Sequence, residues 1–430
     1  MPDHATTLPK VLVVHPWMGR GGSEAVAMWA LQALQGRAEV TFMTASAMNW
    51  DALNAAYGTS VDPRRIRLLR TTKLPGVRSG AQFVHWQRAY FERQCRRASR
   101  GFDVCVSAYN PIDFGRPGIQ LLGDFSFSES MRRRLYDAND EPFYHRQSLI
   151  RRLYLATGEC LRGLGRPALA ERGDLAVANS EWSANLLAKY FGVLDAPVLY
   201  PPVTLSGPGK TDAPAPAAGA PVERGPFAFA CLGRIAPEKE IETVIAILDR
   251  VRNAGYPVTL DVIGQFDGGA YSDQIRRLTE ARKDWIRTPG FLNSEEKKSL
   301  LRSTSFGLHA CRIEAFGIAV AEMAAAGCVP LVPGTGGAGE IVRRRELQFR
   351  GVGEGAEKIV ALLENPRRVR ELRRELTQST DRFGTEVFCR EFHRIFYSFL
   401  AGRTAARETA AAPGERTLAR HVEEAKPATV

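Results

Sequence analysis

One pattern occurs twice in the chain and narrows the fold more than any other feature: a short apolar run, a glycine loop, then the start of a helix. The first copy is Lys10-Val-Leu-Val-Val-His15, followed by Gly19-Arg-Gly21-Gly22 and an apolar-periodic stretch over residues 23–34. The second is Phe227-Ala-Phe-Ala-Cys-Leu, followed by Gly233-Arg234 and, after Pro237, another helix start. Runs without polar alternation belong to strands buried on both faces, as in parallel sheets covered by helices. Shorter strand candidates at 40–44, 104–107 and 175–178 continue the first half, and 258–264, 306–309 and 329–332 the second, with helical patterns between them. This alternation predicts an α/β chain of two Rossmann-like, doubly wound domains facing a cleft.

The 430 residues, 44% hydrophobic and 24% charged, suffice for two cores. The first domain is expected at 1–203 and the second at 227–384. Residues 204–226, dominated by Pro, Ala and Gly, read as a linker that buries too little apolar surface to fold alone. In 385–400, Phe388, Phe392, Ile395, Phe396 and Phe399 recur at helical spacing, which predicts a core-packed helix crossing back to the first domain. Residues 401–430 are expected to be a disordered tail.

Glu314-Ala-Phe-Gly-Ile-Ala-Val-Ala-Glu322 carries the first chemical signal. A helix over residues 316–326 would leave the amides near Phe316, Gly317 and Ile318 unpaired at the positive end of its dipole, where an anion binds. Eight residues turn through about 800°, roughly 80° past two full turns, so Glu314 and Glu322 reach different parts of one long ligand. A metal-binding pair would sit at i, i+3 or i, i+4 instead. Arg234 and Lys239 bracket the loop at the carboxyl end of the second domain's first strand, where open α/β sheets hold ligands. A planar guanidinium beside a compact ammonium suits a pyrophosphate.

Several classes are excluded. No Gly-x-x-x-x-Gly-Lys-Ser/Thr loop is present. The Gly19-x-Gly21-Gly22 run has Glu24 in place of the third glycine of a dinucleotide fingerprint, and no acid ends the second strand near Thr44. Nucleic acid is not expected as a partner, because no helix-turn-helix, zinc or RNP signature accompanies the net charge of +11. That charge is uneven: residues 60–170 hold 20 Lys or Arg against 10 acids. Arg132-Arg133-Arg134 and Arg151-Arg152, near Phe125, Phe127 and Tyr136, point to an anionic membrane surface as a partner. Seven cysteines with no Cys-x-x-Cys pair point to reduced thiols in a cytoplasmic protein. No apolar stretch approaches 18 residues, so membrane contact is expected to be peripheral.

Taken together, Gly233-Arg234, Glu238-Lys239, Glu314-x7-Glu322 and Ala324-Ala-Ala-Gly327-Cys-Val-Pro330 resemble retaining glycosyltransferase family four, a group with the GT-B fold. The resemblance extends to Gly21-Gly22-Ser23-Glu24, Asn179-Ser-Glu-Trp-Ser183, Tyr200-Pro-Pro-Val203 and Gly307-Leu-His309, and covers about residues 10–400. The wording around Asn179, Tyr200 and His309 is similar to the GDP-mannose-dependent mannosyltransferases of lipid-linked oligosaccharide assembly. The resemblance implies retaining transfer of a hexose, without metal or cofactor, from GDP-mannose or a UDP-sugar to a lipid-linked or saccharide acceptor. Arg234 and Lys239 would hold the donor pyrophosphate, assisted by backbone at Gly21, Gly22, Gly233, Phe316, Gly317 and Ile318. Glu322 would bind the ribose, Glu314 a hydroxyl of the transferred sugar, and backbone around Gly290, Phe291 and Leu292 the base. His15, Asp124 and His309 are candidates for the sugar or acceptor, and neither histidine is read as a general base. In Ile119-Gln-Leu-Leu-Gly123-Asp124-Phe125, a glycine stands where the family commonly carries a histidine. A sugar-nucleotide epimerase of the same fold would need additional acid/base residues, and a silent binding protein would lack some of Arg234, Lys239, Glu314 and Glu322. All four are present.

Overall fold

The computed structural model describes residues 8–411 except 20, 75, 77–82, 136–147, 164, 205–223 and 267. Two six-stranded sheets form, and every strand pair in them is parallel. The first contains β1 (Lys10–Val14), β2 (Glu39–Thr44), β3 (Ile66–Arg70), β4 (Val104–Ser107), β5 (Ile119–Leu121) and β6 (Leu175–Val177), in the order β3-β2-β1-β4-β5-β6. The second contains β7 (Gly225–Leu232), β8 (Thr259–Ile263), β9 (Ile286–Gly290), β10 (Thr304–Leu308), β11 (Val329–Pro333) and β12 (Gln348–Phe349), and counting from β7 gives the same order. In both, the crossover between the first and fourth strands leaves a crevice at the carboxyl edge.

The unalternated run in β1 is explained by cover on both faces. Val11 and Val13 pack with Met28, Leu31 and Leu34, while Leu12 and Val14 pack with Phe91, Cys95 and Phe114 on the other side. All four strand residues are fully buried. Strands β3, β9 and β12 were not expected. They lie at sheet edges, where exposure in Ile66–Arg70 and Ile286–Gly290 weakens the apolar signal.

The final helix, Thr385–Ala411, crosses back as its aromatic spacing requires. Phe388, Phe392, Ile395 and Phe396 join the first domain's core, and His393 Nε2 lies 2.6 Å from the carbonyl of Ala33. The helix passes the expected end at 400 and takes up the first residues assigned to a tail; residues 412–430 lie outside the described residues. Most of the expected linker also lies outside them. Its last residues do not behave as a linker, because Arg224 donates to the carbonyls of Leu301, Thr304 and Ala326, and β7 begins at Gly225.

Candidate active site

The carboxyl edges of the two sheets meet. A Cβ placed on Gly22, at the start of the helix Gly22–Leu34, would lie 2.9 Å from Ile318 Cδ1, the first residue of the helix Ile318–Ala325. Two helix N-termini therefore face one another, and both dipoles favour negative charge between them. The helix opens later than the sequence predicts. Gly317, at φ 98°, is its N-cap, so the first-turn amides lacking a helical partner begin at Ile318 rather than Phe316. Phe316 is instead a buried anchor, with Tyr200 at 5.5 Å and Phe383 at 5.0 Å between ring centroids.

Glu314 sits at the base of the cleft. Its Oε2 accepts from Lys239 Nζ at 2.5 Å and lies 3.2 Å from His309 Nε2. Burial alone would raise the Glu314 carboxyl, but Lys239 and His309 outweigh it and hold the group well below the usual carboxylate range. Burial likewise lowers Lys239, and Glu314 more than offsets this, so the ammonium titrates above its ordinary value. His309, which follows β10, is a buried member of this cluster rather than an isolated core histidine. Arg234 points outward instead, 59% exposed, and pairs with Glu238 at 2.8 Å. The two expected phosphate cations are thus unlike: Lys239 is fixed in place and Arg234 is accessible. Gly233 carries φ 152° and packs closely on Gly264, where any Cβ would meet the Gly233 carbonyl.

Glu322 accepts from Lys297 Nζ at 2.7 Å through Oε1. Phe291 is half exposed at the end of edge strand β9, and Leu292 packs against the second core. On the first domain, Tyr57 staples the glycine loop by accepting from Gly21 N at 3.0 Å and donating to the Gly19 carbonyl at 3.1 Å. Glu24, the residue that broke the dinucleotide fingerprint, accepts from Gly19 N and Ser23 Oγ. His15 is buried, and burial holds it down to about 4. Asp124 Oδ1 accepts from Asn110 Nδ2 and from the Ser126 amide and hydroxyl, and the residue is exposed.

Gly336, Gly337 and Glu340 shape the site and carried no sequence signal, while Ser180 lies within the Asn179–Ser183 motif. Gly336 and Gly337 lie under the 312–316 loop, with Gly337 N donating to the Glu314 carbonyl at 2.7 Å; a Cβ on Gly337 would sit 2.1 Å from the Ala315 carbonyl oxygen. Glu340 reaches across the domains to accept from the amides of Glu181 and Trp182, the first turn of the helix Glu181–Phe191. Ser180 Oγ donates to the Ala315 carbonyl at 2.6 Å. These contacts tie the two domains together beside Glu314.

The basic patch is smaller than expected. Arg132 and Arg151 both pair with Glu129 at 2.8 Å and are largely buried, and Phe125 is buried; Tyr136 lies outside the described residues. Among the described residues, His309, Cys311 and Glu314 present donor atoms within 4.8 Å of one another. A metal ion there would compete with the Lys239 ammonium and would need the thiol of Cys311, which burial pushes up to about 12.

The two facing doubly wound domains make the architecture a GT-B fold. Solved structures agree: HepE of Anabaena, crystallised with UDP and glucose, aligns over 91% of this chain and 100% of its own at TM-score 0.63 and 15% identity. Sucrose-phosphate synthase of Thermosynechococcus elongatus aligns over 92% and 100% at TM-score 0.68 and 14% identity. Residues 219–382 match the family described as glycosyl transferases group 1, so the second domain is a glycosyl transferases group 1 domain. Among curated proteins, the GDP-Man:Man(3)GlcNAc(2)-PP-Dol alpha-1,2-mannosyltransferase of Dictyostelium discoideum is 26% identical over 237 residues, 51% of this chain and 46% of its own length. The protein of that name from Candida glabrata is 26% identical over 176 residues, 38% and 34% respectively. The matches therefore span less than half of either curated relative.

Proposed function

We propose that the protein is a retaining, metal-independent hexosyltransferase that uses a nucleoside-diphosphate sugar, with GDP-mannose the first candidate and a UDP-sugar the second. The observation that carries this reading is the Lys239–Glu314 pair set beside the mouth of the Ile318–Ala325 helix, opposite Gly22. In this reading Lys239, Arg234 and the first-turn amides take the diphosphate and stabilise the charge that develops as it leaves. Glu314, kept ionised by Lys239, accepts a hydroxyl of the transferred sugar through Oε1, and Glu322 takes the ribose through Oε2. Glu314 is already engaged and the Cys311 thiol is pushed up, so neither is a ready nucleophile. This supports substitution on one face of the sugar, with the leaving phosphate accepting the acceptor's proton.

The acceptor is proposed to be a lipid-linked saccharide, in keeping with the PP-Dol acceptor in the names of the two curated relatives. No helix among the described residues is long and apolar enough to cross a membrane. The helix Leu149–Arg162 does expose Leu149, Ile150 and Leu153, close to exposed Arg152 in sequence and to exposed Arg133 through the Glu129 pairs. We place the protein in the cytoplasm, bound peripherally to an anionic membrane face through this helix. The test is calorimetry against GDP- and UDP-sugars, followed by transfer assays. The donor assignment fails if none binds, or if Arg234→Ala and Lys239→Ala leave binding unchanged.

A further inference from the structure

We propose that Arg88 and His15 form a second anion site, on the first-domain wall of the cleft, that takes the phosphate or diphosphate of the acceptor. The proposal rests on the transferase reading, adds Arg88, which that reading does not use, and gives the acceptor candidate His15 a definite ligand.

Arg88, on the helix Val84–Ala98, is only 7% exposed. Its guanidinium carbon lies 5.6 Å from the Tyr109 ring centroid and 5.9 Å from that of Phe127. Its one hydrogen bond among the described residues is from NH2 to the Pro111 carbonyl at 3.3 Å, and Nε has no partner. It makes no ion pair among the described residues. Glu92, one helical turn along and also buried, is already held by Arg162 at 3.1 Å and Arg166 at 2.5 Å. Other largely buried arginines nearby have their carboxylates, as Arg132 and Arg151 do in Glu129. Glu92 and Asp124 act on Arg88 only from beyond contact distance and do not offset its burial, so the cation remains costly, and an arriving anion in contact with it lowers that cost.

His15 supplies an independent observation. It is 1% exposed, neither ring nitrogen has a side-chain hydrogen-bond partner among the described residues, the backbone of Trp17 lies beside it, and its ring meets Tyr109 edge-on at 5.1 Å. A neutral imidazole offers one N–H and one acceptor, which fits a phosphate oxygen and a neighbouring hydroxyl. Tyr109 thus joins both groups, at the carboxyl ends of β1 and β4, on the sheet edge that faces the second domain. Asp124 lies on the same edge, tied to Asn110, which follows Tyr109. The planar fork, fixed between two rings, suits the paired oxygens of phosphate.

The test titrates inorganic pyrophosphate by calorimetry into the full chain saturated with GDP or UDP, so that the donor site is filled. One pyrophosphate is expected to bind. Arg88→Gln should weaken it by about tenfold or more, Arg88→Lys by less, and Arg234→Gln by under about twofold. Acetate, with one carboxylate, should bind far more weakly. On the unaltered protein, pyrophosphate should also shift the His15 ring resonance in proton NMR, assigned with His15→Gln; this readout stands if Arg88→Gln does not fold. No binding to the nucleotide-filled protein, unchanged affinity in folded Arg88→Gln, or an unmoved His15 resonance overturns the proposal. Failure of GDP and UDP to bind refutes the donor reading instead, and pyrophosphate binding then remains measurable on the free protein.

Discussion

The Lys239–Glu314 pair should behave as one unit in a double-mutant cycle of Lys239→Met and Glu314→Gln. At the 2.5 Å separation, and an effective dielectric of about 20, the Coulomb attraction is roughly 6 to 7 kcal/mol. The side chains are 21% and 18% exposed, so both ions have lost most of their water and much of that attraction is offset. A net coupling of about 2 to 4 kcal/mol is expected. Glu314→Gln alone, which strands a buried ammonium, should cost about 3 to 5 kcal/mol. Lys239→Met should cost less, since His309 Nε2 remains 3.2 Å from Glu314 Oε2. The assay is urea denaturation of the four proteins at neutral pH, comparing midpoints at a common slope. The pH dependence has a defined sign. Glu314 titrates below its unfolded value of 4.5, so its contribution is present above that pH and is lost as pH falls through the lower folded value. Lys239 titrates above its unfolded value of 10.5, so its contribution is present below that pH and is lost as pH rises through the higher folded value. The coupling should therefore be flat between these two unfolded values. A coupling under about 0.5 kcal/mol at neutral pH, or a Glu314→Gln cost under about 1 kcal/mol, would refute the assignment of a dry, mutually dependent pair.

Three further outcomes follow from the geometry. His15 is held down to about 4 from 6.5, so the unfolded chain binds its proton first as pH falls; wild type should lose up to roughly 3 kcal/mol relative to His15→Phe between those values, read as the difference in urea midpoints. Gly337→Ala should destabilise by about 3 kcal/mol or more, because its Cβ would meet backbone at 2.1 Å, whereas Gly22→Ala meets only the flexible end of Ile318 and should be nearly neutral after Ile318→Val; thermal melts check both. Ile150→Glu, at a residue 83% exposed, should leave folding intact and reduce binding to anionic vesicles about tenfold, and wild-type binding should weaken with salt; equal binding to neutral vesicles at every salt level would sink the membrane assignment.

The central strands were readable because burial on both faces leaves an unbroken apolar run, as in Val11 to Val14. Edge strands β3, β9 and β12 were not, since half-exposed residues and Pro289 erase that run. Among the residues the motifs single out, Lys239 pairs with Glu314, and Gly22 approaches Ile318. The helix start was misjudged by two residues because Phe316 looks helical in sequence, yet Gly317 with positive φ turns it into the core. Tyr57, Lys297 and Glu340 act through tertiary contacts 36, 25 and 158 positions away, and no local pattern encodes such partners. The orphaned state of Arg88 is equally silent in sequence, being defined by the carboxylates that bind its neighbours instead.

The helix Thr385–Ala411 also sets an order of events during synthesis. Phe388, Phe392, Ile395 and Phe396 supply one wall of a core whose other walls are made from residues 11 to 199. At a translation rate of about 5 to 20 residues per second, the amino-terminal domain spends roughly 10 to 40 seconds with Leu31 and Leu34 lacking that cover. The second domain needs no such late segment for its own sheet and can close first. The chain thus completes its amino-terminal half last, and that half, rather than the second, is the one that needs protection from aggregation while the protein is being made.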